Sequence, residues 1–498
     1  MCGPAEVSAV RSLVSAGASA SVICALLAGC AVGPNFIRPD APRVTHYAHG
    51  GDPRSTAEAQ GVAQRFAPGE PVAGDWWRLF GSPKLAQIVA EALTANPGLA
   101  AAQASLRASE ASLRSGYGIF FPQAEANAQA TRERFTALQL GENVPASIFN
   151  LFTLSASASY ALDIFGGERR ALEALGAQAD EQRATERATY LTLLANIVNT
   201  VVARAAYRAE VDATQQLIEL ERAQVKIAQV QYQAGTQPYS NLLSLQSGLA
   251  ASEASIPQLE QKLTQADDLL ATLVGRVPAD WNPPEITLQE LKLPSELPVS
   301  LPSELVRQRP DILLAEATAH AASASVGVAT AQMLPSLTLD GSYSANGTQT
   351  STLLAGRGRT WSAGADVTAP LFEGGTLWYR RKAAVQTYQQ SVLLYRQTVL
   401  TAFEQVADAL RALDHDAATL RAEDEALRTA REALRLIQVN YEAGIATYLD
   451  VLNADSQYHQ AVVNDLQAVA VRYQDTVALY VALGGGWWNA SPSAVGAP

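Results

Sequence analysis

The chain has 498 residues, 48% of them hydrophobic, and a net charge of −12 from 36 Lys and Arg against 48 Asp and Glu. That length can bury a sizeable core, while the acidic balance and the lack of any basic block exclude a nucleic-acid binder. The three cysteines are Cys2, Cys24 and Cys30, so removal of the residues before Cys30 leaves one thiol and no internal disulfide.

Residues 1–29 read as a secretory signal peptide: a single cation, Arg11, precedes an uncharged run of small and apolar residues from Val14 to Leu27. The segment closes on Leu27-Ala28-Gly29-Cys30, which resembles the bacterial lipoprotein box. The resemblance implies that Cys30 becomes the acylated N-terminus, anchored at roughly 0.8 kcal/mol per buried CH₂. Ala31, where Asp would retain the protein in the inner membrane, implies sorting to the outer membrane. Residues 30–79 form a lipid-anchored arm, rich in Gly and Pro and without sustained periodicity over 31–74, expected to run irregularly on the surface. The mature chain holds no run of eighteen uncharged apolar residues, so no transmembrane helix is expected and any crossing falls to strands.

The remainder is written twice. Residues Val230 to Gly235 (VQYQAG) match Val439 to Gly444 (VNYEAG) at an offset of 209, and Tyr239, Leu243 and Gly275 match Tyr448, Leu452 and Gly484. Asn96-Pro97 and Phe121-Pro122 match Arg309-Pro310 and Leu334-Pro335 at an offset of 213. Repeat 1 is assigned to 80–275 and repeat 2 to 303–486, each ordered helix, strands, long helix, tip turn, helix. Between them, 276–302 holds Pro278, Pro283, Pro284, Pro294, Pro298 and Pro302, which forbid continuous helix and predict an extended linker. Residues 487–498 are a C-terminal tail.

In chain order, repeat 1 predicts a helix over about 84–118, strands over about 121–165, a long helix from Glu168 to about Gln233, and a helix over 241–274. The long segment has neither proline nor turn cluster and would reach roughly 100 Å. Its seam, Leu191, Leu194, Val198, Val201 and Ala205, is that of a helix packed along another. Repeat 2 predicts a helix over 303–332, strands over about 335–372, a long helix from about Thr376 to Glu442, and a helix over 449–483. Its seam is Val399, Ala402, Val406, Ala409 and Leu413.

The strand segments alternate with period 2. Phe152, Leu154, Ala156, Ala158, Tyr160, Leu162 and Ile164 oppose Thr153, Ser155, Ser157, Ser159 and Asp163. Ala124 to Ala130 alternate with Gln123 to Gln129; Leu337, Leu339, Tyr343 and Ala345 oppose Ser336 to Asn346; Trp361 to Leu371 oppose Ser362 to Thr368. One face suits lipid and the other water, although a soluble sandwich would show the same period. Four strands cannot close a barrel when about eight is the smallest membrane example, so several chains must share one.

No chemistry of turnover is visible. The five histidines, His46, His49, His320, His415 and His459, have no ligand spacing, and Asp414-His415-Asp416 points three ways around a helix and reads as an exposed face. There is no phosphate loop, nucleophile elbow or dinucleotide fingerprint. Neither an enzyme, a metal nor a cofactor is expected.

Together, Val32-Gly33-Pro34-Asn35 with Arg38-Pro39, Asp75-Trp76-Trp77 with Leu79-Phe80, Leu162-Asp163-Ile164-Phe165-Gly166-Gly167, and Pro370-Leu371-Phe372-Glu373-Gly374-Gly375 resemble the TolC and OprM family of outer-membrane efflux channels. The resemblance covers about Gly33 to Gly486. It implies a mainly α fold with a membrane β-barrel: a homotrimer whose twelve-stranded barrel stands on a helical periplasmic tunnel. It further implies a passive conduit for small molecules in a tripartite system, with a periplasmic adaptor protein and a proton-driven inner-membrane pump as partners. Site roles carried over are adaptor docking at the tip turns Tyr232, Ala234, Gly235 and Tyr441, Ala443, Gly444; a periplasmic gate at Asp450 and Asn453; and strand–helix junctions at Phe165, Gly166, Gly167, Phe372, Gly374 and Gly375. Asn453 stands where a second acid is usual, and Ala446 where a cation bridges helices. The rival reading is a lipid-anchored periplasmic coiled-coil adaptor or scaffold, which accounts for the helices but not for the strands.

Overall fold

The computed structural model describes residues 31–136, 145–353 and 356–489. The signal segment, Cys30 and the tail beyond Asn489 lie outside the described residues. In chain order the elements are β1 (Arg65–Pro68), α1 (Pro83–Ala95), α2 (Pro97–Gly116), β2 (Gln123–Phe135), β3 (Ser147–Leu162), α3 (Gly167–Gln233) and α4 (Tyr239–Val274). Then follow β4 (Glu296–Val299), α5 (Pro302–Gln308), α6 (Pro310–Ala331), β5 (Ser336–Gly347), β6 (Arg359–Thr368), α7 (Thr376–Glu442) and α8 (Tyr448–Ala482). The helix expected over 84–118 is two, and so is that over 303–332. Asn96 and Arg309 each precede proline, and the Pro Cδ drives the preceding residue out of the α region.

The chain divides into two compact units, one comprising the segment up to Arg38, Arg107–Glu181 and Ala315–Leu394, the other Pro39–Leu106, Gln182–Leu314 and the chain from Tyr395. The first holds an antiparallel sheet of order β2-β3-β5-β6. Its register carries the sequence alternation across all four strands. Ala126, Ala156, Tyr343 and Trp361 form one row on one face, while Glu125, Ser157, Ser342 and Ser362 form the neighbouring row on the other. On the polar face Ser342 bonds Ser362 at 2.8 Å, Ser344 bonds Thr360 at 2.7 Å and Thr153 donates to Asn346 at 2.8 Å. The last strand stops at Thr368, short of the expected 372, because Pro370 cannot donate to the ladder. Leu371 and Phe372 lie beyond it, 96% and 89% exposed.

α6 contains a window of eighteen residues whose mean hydropathy reaches 1.3, although Glu316 and His320 interrupt any uncharged apolar run in it. Ala, Val, Leu and Ile supply that value, yet Glu316 pairs with Arg38 at 2.7 Å and His320 with Glu173 at 2.9 Å. Those partners make α6 a packed helix of its own unit, where small residues admit close neighbours.

The second unit contains the greater part of the two 67-residue helices α3 and α7 together with α4 and α8. Every residue of the two expected seams is buried, from Leu191 to Ala205 and from Val399 to Leu413. The Asp75-Trp76-Trp77 motif forms a 3-10 turn that buries Trp76 and Phe80, Trp76 stacking on Tyr480 of α8 at 5.1 Å and Phe80 meeting Tyr473 at 6.0 Å.

The arm and the linker are not simply irregular: β1 pairs in parallel with β4, Arg65 opposite Glu296. Gln64 and Phe66 are buried there, so this stretch of the arm is core rather than surface wrapping. Neither strand shows up as a run, since each spans only four residues.

The two halves repeat at the level of single hydrogen bonds. Asn96 donates its side-chain amide to the carbonyl of Leu273 at 2.8 Å, and Arg309 donates its guanidinium to the carbonyl of Ala482 at 2.8 Å. Gly275 and Gly484, at φ 82° and 91°, end α4 and follow α8 in the left-handed region that glycine tolerates best. A Cβ on Gly275 would also lie 2.3 Å from the carbonyl oxygen of Ala95.

Candidate functional site

Three regions carry the residues singled out by the sequence. At the first strand–helix junction, Asp163 accepts from the backbone N–H groups of Glu168 and Arg169 at 3.1 and 3.0 Å and pairs with the Arg169 side chain. A carboxylate at a helix N-terminus satisfies orphan donors and complements the dipole, which explains why this motif starts α3. Phe165 accepts from the N–H of Val32 at 2.9 Å, and a Cβ on Gly166 would collide with Ala31 at 2.6 Å. Gly166 thus lets the arm pass directly over the junction, while Gly167, where a Cβ would lie 2.8 Å from that of Ala331, admits the end of α6.

Just beyond, Arg170 donates to Asn35 at 2.6 Å and to the Val32 carbonyl at 3.2 Å, and pairs with Glu173 at 2.7 Å. Phe36 stacks on His320 at 4.5 Å, and Gly33 (φ 92°) touches the backbone of Gly327. The Val32-Gly33-Pro34-Asn35 motif is therefore a strap between α3 and α6. At the second junction Gly374 and Gly375 also adopt positive φ, of 60° and 88°, with only Tyr379 near Gly375. No strap covers it among the described residues, and Phe372 remains exposed.

The tip turns are equivalent. In the first, Ala234, Gly235 and Thr236 donate to the carbonyls of Val230, Tyr232 and Gln231; in the second, Ala443, Gly444 and Ile445 donate to those of Val439, Tyr441 and Asn440. Gly235 and Gly444 take φ of 70° and 74°, and each turn is bracketed by an aromatic pair, Tyr232 with Tyr239 at 5.1 Å and Tyr441 with Tyr448 at 5.6 Å. Tyr448 donates to Gln224 at 2.7 Å, tying α8 to α3. A cavity of about 370 Å³ lies between the hairpins, lined among others by Ala228, Leu242, Leu245, Tyr441, Tyr448 and Val451.

Asp450 and Asn453 are both exposed. Asp450 closes a capping box with Thr447, accepting from its N–H at 2.8 Å and its hydroxyl at 2.6 Å. Those hydrogen bonds, side chain first and backbone second, hold its carboxyl below the usual range.

Two acids that sequence reasoning passed over lie deeper. Asp455 is 1% exposed with neither carboxylate oxygen partnered, and Glu221 of α3 is 6% exposed with one oxygen unpartnered. Burial first, and the charge of Glu221 second, push the Asp455 carboxyl up to about 6. Asp416 corrects the expectation of an exposed face at 414–416: His415 is exposed, but Asp416 is half-buried against Asp475 of α8, and burial, that hydrogen bond and the Asp475 charge raise it to about 7. A helical period places a residue on a face; it does not say which helix lies opposite.

An amphiphilic antiparallel sheet whose outer strands β2 and β6 have no further partner among the described residues, in a chain that also carries paired helical hairpins, is the fold class of a membrane channel component. The sequence profile of the outer membrane efflux protein family matches residues 88–276 and 301–485. The chain is 31% identical over 420 residues to the pyoverdine export outer membrane protein OpmQ of Pseudomonas aeruginosa, covering 83% of this chain and 87% of that one. It is 27% identical to the toluene efflux pump outer membrane protein TtgC of Pseudomonas putida, over 95% and 96% of the two chains. The solved outer-membrane channel OprN superposes with a TM-score of 0.81 at 27% identity, covering 92% of this chain and all of that one. The Campylobacter jejuni CmeC outer membrane channel, at 20% identity and a TM-score of 0.84, shares the fold. The chain belongs to the outer membrane efflux protein family. It is an outer-membrane efflux channel component with a TolC-like fold, in a family of channel proteins rather than enzymes.

Proposed function

We propose that three copies of this chain close one twelve-stranded barrel and form a passive duct of a tripartite efflux system. The observation that carries this is the sheet: β2 and β6 are edges without a further partner among the described residues, and an open edge cannot persist in lipid. The uncovered Leu371 and Phe372 offer apolar surface for a neighbouring copy. The two repeats, 80–275 and 303–486, serve as equivalent halves of the subunit wall. The tip turns around Gly235 and Gly444 dock a periplasmic adaptor, and a proton-driven inner-membrane pump supplies the energy, since the duct itself catalyses nothing. Small organic molecules of the kind named for the relatives are its cargo. Cys30 carries the acyl anchor; Cys30→Ser should abolish metabolic labelling by palmitate, and retained label would refute the anchor.

Asp450, with Asn453 one turn on, forms the gate: three copies around the axis repel one another and favour cations. Asp450→Ala should raise closed-state conductance of the trimer in planar bilayers. Because the folded-state carboxyl is depressed, its charge is complete above the ordinary Asp value of about 3.9 and is lost only as pH falls through the lower folded value. The Asp450 ring is therefore expected to contribute a constant repulsion between pH 5 and 8. An unaltered conductance in Asp450→Ala would remove Asp450 from the gate, whereas the absence of any trimer or conductance in the native protein would remove the duct.

A further inference from the structure

We propose that Glu221 and Asp455 form a buried proton-binding site joining the two tip hairpins, and that loss of its proton loosens the tip; this rests on the duct reading above. Glu221 projects from α3 beside Gly248 of α4 and Leu452 of α8, a Cβ on Gly248 lying 3.5 Å from the Leu452 side chain and 4.0 Å from a Glu221 oxygen. Ser252 of α4 donates to that same oxygen at 3.1 Å, leaving the other bare. Asp455, one turn beyond Leu452 on α8, has both oxygens bare at 1% exposure. An ionised carboxylate so placed lacks both water and a donor, and two of them repel; a proton removes both penalties.

The surrounding groups do not supply a counter-charge. On α3, Arg222 is bound to Glu219 at 2.7 Å and to Glu253 of α4 at 2.8 Å, so it neutralises Glu253 rather than Glu221. On α8, His459 meets Thr214 at 3.2 Å and burial lowers its pKa, keeping it neutral near pH 7. Tyr448 of α8 and Tyr441 of α7 are phenols, the first raised by burial and then by Asp455, and Arg431 of α7 lies over the ring of Tyr458. Neither Glu221 nor Asp455 has a Lys or Arg partner among the described residues.

The consequence has a definite sign. An Asp whose folded pKa is raised to about 6 contributes stability that is fully present below its unfolded value and is lost as pH rises through the folded one. A closed tip held by the protonated pair therefore opens more readily as pH rises toward and through about 6. This shift is opposite in direction to that of Asp450, whose hydrogen bonds to Thr447 hold its carboxyl below the usual range.

The test uses the purified full-length protein in planar bilayers and in detergent. Native open probability should rise about threefold between pH 5.5 and 7.5, the part of a one-unit pKa difference that lies in that window for a closed-state carboxyl titrating at about 6. Asp455→Asn should abolish that rise and hold the low-pH behaviour throughout; Glu221→Gln should do the same, and Glu260→Gln, an exposed acid two turns further along α4, should retain the native profile. Melting temperature across the same range reads the site without the duct: the native protein should lose stability relative to Asp455→Asn as pH rises. A melting difference that is flat with pH, or an open probability equally pH-dependent in Asp455→Asn, overturns the proton site. Lack of conductance in every variant counts against the duct alone, with the melting comparison still deciding the pair.

Discussion

Replacing Arg472 by Ala is expected to destabilise the chain by about 3–5 kcal/mol and to release the arm to protease. Arg472 lies on α8 at 2% exposure, and its burial lowers its pKa. Its guanidinium donates to Gln64 Oε1 at 3.2 Å, Thr56 Oγ1 at 3.3 Å, and the carbonyls of Ala59 and Val62 at 3.4 and 3.0 Å. Gln64 in turn donates to the Pro294 carbonyl at 3.2 Å and to Thr476 at 3.1 Å, so one cation organises the β1 segment, the linker and α8 together. Hydrogen bonds to a charged group contribute about 1.5–3 kcal/mol each, discounted here because water enters the vacated space. Arg472→Lys should fall between, since an ammonium cannot reproduce the fork. Thermal melting with limited proteolysis at residues 54–66 reads both effects; an arm as resistant as the native one would show that β1 pairing alone holds it.

The second large effect concerns the sheet. Ala156→Arg places a cation in the row of Ala126, Tyr343 and Trp361, and against lipid that should cost about 2–4 kcal/mol per chain at mid-depth. Ser157→Arg, one residue on, joins the row of Glu125, Ser342 and Ser362 and should be tolerated. Since a closed barrel would contain the change three times, Ala156→Arg should strip the heat-modifiable trimer from the outer-membrane fraction while Ser157→Arg leaves it. Equal yields of the two would mean that neither face meets lipid.

These two cases divide along a physical line. The sheet's faces were legible because the side-chain period of a strand is local: Thr153 to Ser159 and Ala124 to Ala130 declare their faces whatever they pair with. The long helices were legible because neither proline nor a turn cluster interrupts Gly167–Gln233 or Thr376–Glu442, and their seams recur at one offset. The tip turns were legible because positive φ selects glycine at 235 and 444.

The sequence by itself, then, determined the long helices and the chemistry of each face of the four-stranded sheet, which follow from neighbours within a few residues, and the twofold internal repeat, which follows from matching the chain against itself. Only the tertiary structure decided that β1 lies beside β4, that the Val32–Asn35 strap crosses the Phe165–Gly167 junction, and that Arg472, Glu221 and Asp455 are interior rather than solvated. A charged residue on a long helix looks the same to its own neighbours whether water or another helix stands opposite. Its desolvation, and hence its function, is set by partners more than thirty residues away in the chain.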